Sequence, residues 1–375
     1  MKFITLVDSF KKAVGLAERI TSKNITLPIL NNLLIETNKN KIHIKATDLE
    51  IGIEINVLGK TEKEGKVVIP AKTFNNFLNS LTEEKINLEA KENNLRAESG
   101  KFKALFQGFN SEDFPIIPQI KTDKYLEIEK SLLKEGLEQV ILSIGYSANY
   151  PELSSVLFKL EKEGLKLVGT DRYRLAVKTI PLEKIKTNIK EDWQAIVPLR
   201  TIGEVIKILS EEIEESSPII TISPDPNQIQ FMTEEVRLIS RIINAQYPEY
   251  EKAIPLNFEK QAILKRNDLK EAIKVTGIFS GKINDVKFRF NPSKKEVVLE
   301  AREPALGQSE TLLNPLEISG EELEIRFNYR FFLDGLEASR GEEIFIGLNK
   351  ENTPVLIRGR EENDFLYILV PLTTI

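Results

Sequence analysis

The sequence contains the same pattern of segments three times, and this repetition constrains the fold more than any other feature of the chain. One helix-opening segment occurs at residues 10–14 (FKKAV), 133–137 (LKEGL) and 269–273 (LKEAI). One strand-like segment occurs at residues 41–48 (KIHIKATD), 164–171 (GLKLVGTD) and, more faintly, 296–301 (EVVLEA). Three copies of a unit of about 125 residues predict three similar domains in a row, and similar modules tend to form arcs, rods or rings.

Each repeat has the pattern of a strand, a helix, several strands, a second helix and further strands. In the first repeat, Asp8 is positioned to cap a helix over residues 8–22, in which apolar side chains recur at helical spacing. Isoleucine and valine then alternate with other residues at 51–57, which is typical of a half-buried strand. Short strands with two helices per repeat predict the α+β class, with helices on one side of antiparallel sheets.

Two proline-containing segments mark candidate linkers, near residues 119–122 and 254–257. A strand-like run at 260–264 follows the second of them and would open the third repeat. These signals predict three domains, with the boundaries 1–121, 122–256 and 257–375.

The supply of reactive side chains is small, and it excludes several classes of enzyme. The 375 residues include no cysteine and one histidine, so thiolate zinc sites, Ser-His-Asp or Cys-His catalysis and His-rich metal sites are impossible within one chain. His43 lies between Ile42 and Ile44 in an alternating strand and should face solvent. No glycine-rich phosphate loop is present. We therefore expect a protein that is not an enzyme, with no cofactor and no metal.

The apolar segments also bear on the location of the protein. The N-terminus lacks a long apolar run with a basic flank, and no stretch approaches the roughly 20 apolar residues of a membrane span. The absence of cysteine fits a reducing compartment. We expect a cytoplasmic protein.

Two Thr-Asp pairs occupy equivalent positions at strand ends, Thr47-Asp48 and Thr170-Asp171. Their carboxylates could serve a divalent metal or acid–base chemistry, which would make the chain a metal-dependent hydrolase. Alternatively, each pair closes a turn and caps backbone amides. The two pairs belong to different domains rather than to one cleft, which favours the turn interpretation.

Two helices carry basic residues on one face, although the chain as a whole has a formal net charge of −5. The basic residues are Lys12, Arg19 and Lys23 in repeat one and Arg266, Lys270 and Lys274 in repeat three. Such a stripe can follow a phosphate backbone without reading bases, or it can be an ordinary solvated helix face. In the middle repeat, Arg200 is outnumbered by glutamates. No aromatic side chains are interleaved with the stripes, so a nucleic acid partner would be duplex.

Several motifs in order give the chain a specific resemblance. They are residues 26–34 (TLPILNNLL), 46–50 (ATDLE), 169–177 (GTDRYRLAV), 247–250 (YPEY) and 370–372 (VPL). With three repeats and this length, the chain resembles the bacterial replication sliding clamps, the beta subunits of DNA polymerase III. The resemblance implies three DNA-clamp domains per chain and a head-to-tail homodimer that closes into a six-domain ring, with helices lining the hole and sheets outside. It also implies no catalysis: the ring encircles duplex DNA and tethers the replicative polymerase, and a separate clamp loader opens it.

The resemblance implies a hydrophobic cleft between the second and third domains in which partner proteins dock short peptides. Its lining would be Leu153, Thr170, Tyr173, Arg174, Leu175, Pro248, Ala253, Pro354, Ile368, Val370, Pro371 and Leu372. Without the resemblance, the same residues are ordinary core and strand-end residues. A tandem-domain peptide-binding scaffold that does not contact DNA is therefore the alternative function.

The resemblance also implies surfaces for ring closure and for DNA. Ring closure would pair Ala104 and Phe106 with Ile278 and Phe279, where exposed phenylalanine would fit an interface and core burial is equally compatible. Residues 149–151 lack the arginine common in the family, which argues against a DNA contact by that loop, and Lys23 or Asn24 would take the matching role in the first domain. Arg172 stands where the family often has a small residue, and residues 373–375 lack its usual basic residue.

Overall fold

Each third of the chain folds into the same succession of elements: a strand, a helix, five strands, a second helix and three strands. The structure, a computed structural model, describes residues 1–21, 26–39, 41–214 and 216–373. Lys23 and Asn24 lie outside these described residues. Within them, each repeat contributes nine strands and two helices, and the order of strands and helices is the one that the sequence pattern predicts.

The elements are numbered in chain order, and their bounds show the threefold correspondence. The first repeat comprises β1 (Lys2–Leu6), α1 (Val7–Ile20), β2 (Asn32–Asn38), β3 (Lys41–Thr47), β4 (Ile51–Leu58), β5 (Lys60–Lys63), β6 (Gly65–Pro70), α2 (Ala71–Asn79), β7 (Lys85–Lys91), β8 (Asn94–Ser99) and β9 (Phe102–Phe106). The second comprises β10 (Leu126–Glu129), α3 (Lys130–Val140), β11 (Ser155–Glu161), β12 (Gly164–Thr170), β13 (Arg174–Pro181), β14 (Ile185–Thr187), β15 (Trp193–Pro198), α4 (Leu199–Ser210), β16 (Ile219–Pro224), β17 (Gln228–Met232) and β18 (Val236–Arg241).

The third repeat begins with the strand expected after the second linker. It comprises β19 (Lys260–Lys265), α5 (Arg266–Gly277), β20 (Asp285–Asn291), β21 (Glu296–Glu303), β22 (Gly307–Leu313), β23 (Glu317–Ser319), β24 (Leu323–Asn328), α6 (Tyr329–Ala338), β25 (Glu343–Leu348), β26 (Val355–Gly359) and β27 (Phe365–Leu369). No helix within the described ranges is long and apolar enough to cross a membrane.

The chain packs into two compact units, each built on two antiparallel sheets. The first unit comprises residues 1–134, 184–191 and 200–243. It contains the sheets β5-β1-β7-β8-β9 and β14-β10-β16-β17-β18-β4-β3-β2-β6. The second unit comprises residues 135–183, 192–199 and 244–375. It contains the sheets β15-β11-β12-β13-β27-β26-β25-β19-β23 and β22-β21-β20-β24. The middle repeat is divided between the two units. The boundaries of the three domains therefore stay a prediction from the sequence repeat.

The two large sheets are joined in the same way. Each repeat forms a group of five strands and a group of four strands. The five-stranded groups end at the last strand of the repeat, which is β9, β18 or β27, and the four-stranded groups end at β4, β13 and β22, respectively. In the first unit, the last strand of repeat two, β18, pairs antiparallel with β4 of repeat one. In the second unit, the last strand of repeat three, β27, pairs antiparallel with β13 of repeat two. We call these pairings the two joints. The corresponding edges that remain are β9 and β22.

The predicted helical and strand periodicities are confirmed by burial. Phe10, Ala13, Val14, Ala17 and Ile20 are all buried on one face of α1, and the alternating apolar residues of β4 are buried as well. Burial of such a phenylalanine contributes roughly 1.5–3 kcal/mol. The proposed cap at Asp8 is wrong, because α1 begins at Val7 and places Asp8 in its first turn. There the carboxylate suits the positive end of the helix dipole and pairs with Lys12.

Candidate functional site

The first Thr-Asp pair closes a turn between β3 and β4. The Thr47 hydroxyl donates to the carbonyl of Ile51 at 2.9 Å. Oδ1 of Asp48 accepts from the backbone N–H groups of Glu50 and Ile51, at 3.0 and 2.8 Å. The intervening Leu49 has φ 78°, a left-handed conformation that these side-chain hydrogen bonds support.

The second pair repeats this geometry between β12 and β13. The Thr170 hydroxyl donates to the carbonyl of Arg174 at 2.7 Å, and Oδ1 of Asp171 accepts from the N–H groups of Tyr173 and Arg174 at 3.0 Å. Arg172 has φ 76°, matching Leu49. The turn interpretation of both pairs is therefore confirmed. The described residues contain no group of three His, Asp or Glu side chains that could hold a metal ion.

The guanidinium of Arg174 is held beside the second turn by hydrogen bonds within the protein. Its Nε donates to Oδ2 of Asp171 at 3.0 Å, and its Nη1 donates to Asp334 of α6. Its guanidinium also lies over the ring of Phe331, 4.2 Å from the centroid. Burial raises the pKa of Asp334 above its ordinary value, and the charge of Arg174 opposes that shift. Among the predicted cleft residues, Arg174 thus shapes a wall by holding β13 against α6.

The predicted cleft residues surround the joint between β13 and β27. Leu175 lies directly opposite Thr170 on β12 and opposite Ile368 on β27. The N–H of Val370 donates to the carbonyl of Tyr173 at 2.9 Å. This bond sets the segment after β27 beside the Thr-Asp turn.

The cleft residues differ in how much of them a ligand could reach. The buried ones are Leu153, Thr170, Leu175, Ile368 and Pro371; the half-buried ones are Arg174, Pro248, Pro354 and Leu372; and the exposed ones are Tyr173, Ala253 and Val370. The Tyr247 hydroxyl donates to the carbonyl of Val168, which holds the segment containing Pro248 against β12. Pro354 directly precedes β26, the neighbour of β27. The buried members form a floor, and Tyr173 and Val370 supply exposed apolar surface beside it.

Two side chains of this region were not found from the sequence. Phe331 stacks with Tyr173 at 6.5 Å between ring centroids, and its ring also contacts the guanidinium of Arg174. Asp334 lies one helical turn further along α6 and pairs with Arg174. The repeat identifies α6 as the second helix of its repeat, but no local pattern indicates that these two side chains meet a turn about 160 residues earlier.

The loop at 149–151, which lacks the arginine common in the family, packs against an arginine of the neighbouring turn. The guanidinium of Arg172 lies over the ring of Tyr150, 4.4 Å from the centroid, a distance typical of a cation–π contact. No carboxylate pairs with Arg172 within the described part of the chain. Arg172 therefore adds a positive charge beside Thr170 and Tyr173.

Among the described residues of the first unit, the candidate DNA-facing residues Lys12, Arg19 and Arg200 are already bonded within the protein. Arg19 donates to both carboxylate oxygens of Glu204, at 2.6 and 3.0 Å. Arg200 donates to Oδ2 of Asp48. Lys12 pairs with Asp8 at 2.9 Å and donates to the carbonyl of Glu212 at 3.1 Å. Their charges are therefore partly neutralised before any nucleic acid arrives.

The second unit shows the same behaviour with one exception. Nε of Arg266 donates to the carbonyl of Leu336 near the end of α6, at 2.9 Å. Lys270 pairs with Glu337, and this hydrogen bond lowers the pKa of the Glu337 carboxyl below its ordinary value. Lys274 is exposed, and its side chain has no ion pair or hydrogen bond to the residues that the structure describes.

The residues expected at the ring-closing surfaces lie on or near the two remaining edges. Phe106 is buried against Phe74 and Phe77 at 5.1 and 5.5 Å between centroids, so the structure shows core burial there, one of the two alternatives left open by the sequence. Ala104 is half-buried beside it, and Phe279 is half-buried near Gly307.

Several large apolar side chains near these edges are open to solvent. Ile278 is 67% exposed, and Leu105 of β9 is 65% exposed. The sequence reasoning did not single out Leu105. The alternation of a strand would have found it, because Ala104 and Phe106 point inward and the residue between them must point outward.

Comparison with known proteins assigns each repeat to one family. Three family models match in order: the DNA polymerase III beta subunit N-terminal domain over residues 1–118, the central domain over 127–249 and the C-terminal domain over 251–373. The beta sliding clamps of Bacillus subtilis and Synechococcus elongatus are 26% and 25% identical over 387 and 376 residues, with at least 99% of both chains covered.

Solved structures match the fold over the same length. The chain is similar to the DNA polymerase III beta subunit of Thermotoga maritima, with a TM-score of 0.91, 26% identity and 100% of both chains covered. The DNA polymerase sliding clamp of Bacillus subtilis gives a TM-score of 0.91 at 24% identity with the same coverage. The similarity therefore includes all three repeats and their order.

Proposed function

We propose the following function for this chain, which belongs to the DNA polymerase III beta subunit family. It is a sliding clamp that encloses duplex DNA and tethers the replicative polymerase and other partners, without catalysing a reaction itself. A clamp loader opens the ring, and the clamp works in the cytoplasm. The enclosing particle is a head-to-tail homodimer.

The observation that supports a head-to-tail homodimer is that, among the described strands, the two edge strands β9 and β22 lack the partner that their equivalents have in the two joints. In both joints, the last strand of one repeat pairs with the β4-type strand of the repeat before it. By the same rule, β9 of the first repeat should pair with a β22, and because these two strands are unpaired edges in the described part of this chain, a second chain would supply the partner strand. Two chains joined head to tail satisfy both edges at once and close into a ring of six repeats.

The burial of equivalent residues supports a partner at both edges. Leu105 of β9 is 65% exposed, whereas its equivalents in the joints, Ile239 of β18 and Ile368 of β27, are 3% and 1% exposed. The residues of β22 are exposed or half-buried, whereas most residues of β4 and β13 are buried. An uncovered edge strand that carries large apolar side chains is a surface on which another strand can be added.

The basic helix faces suit a weak hold on duplex DNA. Backbone phosphates present the same charge for every sequence, so Lys and Arg contacts to them hold DNA without choosing a site. A closed ring retains DNA by enclosure, so retention does not depend on the strength of those contacts. Exposed Lys274 is the candidate cation most available to phosphates in the described part of the second unit.

The cleft around the joint of β13 and β27 suits an extended partner peptide. Its floor is apolar, and the exposed rings and methyl groups of Tyr173 and Val370 stand beside it. Large apolar side chains of a peptide gain most from such a pocket. We assign the tethering of the polymerase to this cleft.

The topological mechanism is tested by comparing circular and linear DNA. Protein loaded on a nicked circular plasmid should stay bound in high salt and should be lost after the plasmid is linearised. The salt screens contacts to phosphate but leaves enclosure intact. Equal loss from the circle and from the linear form would contradict a clamp.

A further inference from the structure

Two glutamates, Glu204 and Glu337, hold cations on helices that the proposed function directs toward DNA. We propose that these glutamates are counter-charges that weaken the hold on duplex DNA by occupying Arg19 and Lys270. This inference rests on the proposed function and concerns how tightly, rather than whether, the clamp holds its DNA.

The pair in the first unit is the firmer of the two. Arg19 of α1 uses two nitrogens and Glu204 of α4 uses both oxygens, at 2.6 and 3.0 Å. The Glu204 side chain is 10% exposed and the Arg19 side chain 45%. A carboxylate with so little access to water cannot be left unpaired without a large loss of solvation. Arg19 therefore stays with Glu204, although half of its side chain faces solvent.

The carboxylate of the pair in the second unit is more exposed to solvent than that of the first pair, and several cations lie near it. Lys270 of α5 pairs with Glu337 of α6, with side chains 30% and 56% exposed. The hydrogen bond from Lys270 is the largest cause of the lowered pKa of Glu337, and the charges of Arg266 and Lys274 lower it further. This carboxylate thus pairs with Lys270 and lies within the electrostatic influence of Arg266 and Lys274.

Neutralised cations change how DNA binding depends on salt. Each phosphate contact that displaces a counterion adds about 0.9 to the slope of log K against log salt concentration. A cation already paired with a fixed carboxylate displaces no counterion when DNA arrives. A ring that retains DNA by enclosure still retains it when these cations are neutralised. With fewer tight contacts to phosphates, the DNA can move through the ring more easily.

The test measures the equilibrium binding of the full-length protein to a labelled duplex across a range of salt concentrations. The variants Glu204→Gln and Glu337→Gln each free one cation while keeping the size of the side chain. Glu211→Gln is the matched control, because Glu211, the residue after α4, pairs at 2.6 Å with Lys207, which is not a candidate DNA-facing residue, and its loss changes the net charge equally. A fourth variant, Arg19→Gln combined with Glu204→Gln, removes the cation together with its counter-charge, so that no buried carboxylate is left unpaired.

The proposal predicts a slope that is steeper by about 0.9 in Glu204→Gln and in Glu337→Gln, with tighter binding at low salt, and little change in Glu211→Gln. It also predicts that the combined Arg19→Gln and Glu204→Gln variant binds with the same slope as the wild type. Equal changes in all three glutamate variants, or a shallower slope in the combined variant, would overturn it. Failure of the proposed function is seen separately, as wild-type protein that is not retained on circular DNA.

Discussion

Arg237 and Glu54 lie directly opposite each other across the joint between β18 and β4, with Nη2 of the arginine 2.6 Å from Oε2 of the glutamate. Both side chains are mostly buried, and they belong to different repeats. Arg237 is the second residue of its strand and Glu54 is the fourth of its strand. The second residue of β9 is Lys103 and the fourth residue of β22 is Glu310.

This correspondence predicts an ion pair between Lys103 of one chain and Glu310 of the next. Lys103→Glu should weaken the homodimer by roughly tenfold or more, because like charges would then face each other at both edges of the ring. The measurement is the mass of the particle during dilution. Combining Lys103→Glu with Glu310→Lys should restore the dimer, and failure of the double variant to recover would contradict this pairing.

The register of the same edge can be tested by cross-linking, since the chain has no cysteine. Ile239 faces Gly52 in the first joint, so Leu105 should face Gln308 of the partner subunit. Leu105→Cys with Gln308→Cys should give a covalent dimer under mild oxidation. Leu105→Cys with Leu312→Cys is the control, because four residues displace the second thiol by about 13 Å. Equal cross-linking of both pairs would disprove the register.

Peptide binding should depend on exposed side chains at the cleft. Tyr173→Ala and Val370→Ala should each weaken binding of a polymerase-derived peptide by about tenfold, with little change in the free energy of unfolding, because neither side chain is buried. Tyr146→Ala is the control, since Tyr146 is an exposed tyrosine in the same unit. Fluorescence titration measures the affinity, and an unchanged affinity in both cleft variants would reject the assignment.

Leu175→Ala combined with removal of residues 372–375 should also weaken peptide binding while the dimer persists. Leu175 is buried in the joint, so this variant should additionally lose about 2–5 kcal/mol of stability. The dimer should persist because the changed residues lie away from β9 and β22. A mass measurement that shows monomers would place the cleft and the ring interface closer together than we propose.

Asp171 should matter for stability and not for chemistry. Asp171→Ala removes an acceptor from two backbone N–H groups and a partner from Arg174, so it should lower the free energy of unfolding by about 1–3 kcal/mol. Asp171→Asn keeps the acceptor oxygen and should lose less. Urea denaturation measures both. Metal-dependent turnover that disappears in Asp171→Ala would instead revive the hydrolase hypothesis.

Lys274 should contribute to DNA binding more than any other stripe residue of the second unit. Lys274→Glu should reduce the slope of log K against log salt by about 0.9, because this exposed cation is available to pair with a phosphate. Lys350→Glu is a suitable control, as an exposed lysine after β25. Unchanged binding and unchanged processive synthesis in Lys274→Glu would favour the scaffold that does not contact DNA.

The sequence by itself determined the features that depend on short-range periodicity. The threefold repeat, the buried face of α1, the alternation of β4 and the two Thr-Asp turns could all be predicted, because each is set by residues within a few positions of one another. Membership of the family could be predicted too, since it depends on the order of such segments along the chain.

Only the tertiary structure decided which distant side chains meet. Arg19 looks like a free cation in the sequence, and Glu204, 185 residues away, neutralises it. Phe106 looks like an interface residue, and Phe74 and Phe77 bury it. These contacts are set by how helices from different repeats pack and by the register of the strands in the joints. Neither the packing nor the register can be derived from a local pattern of apolar or charged residues.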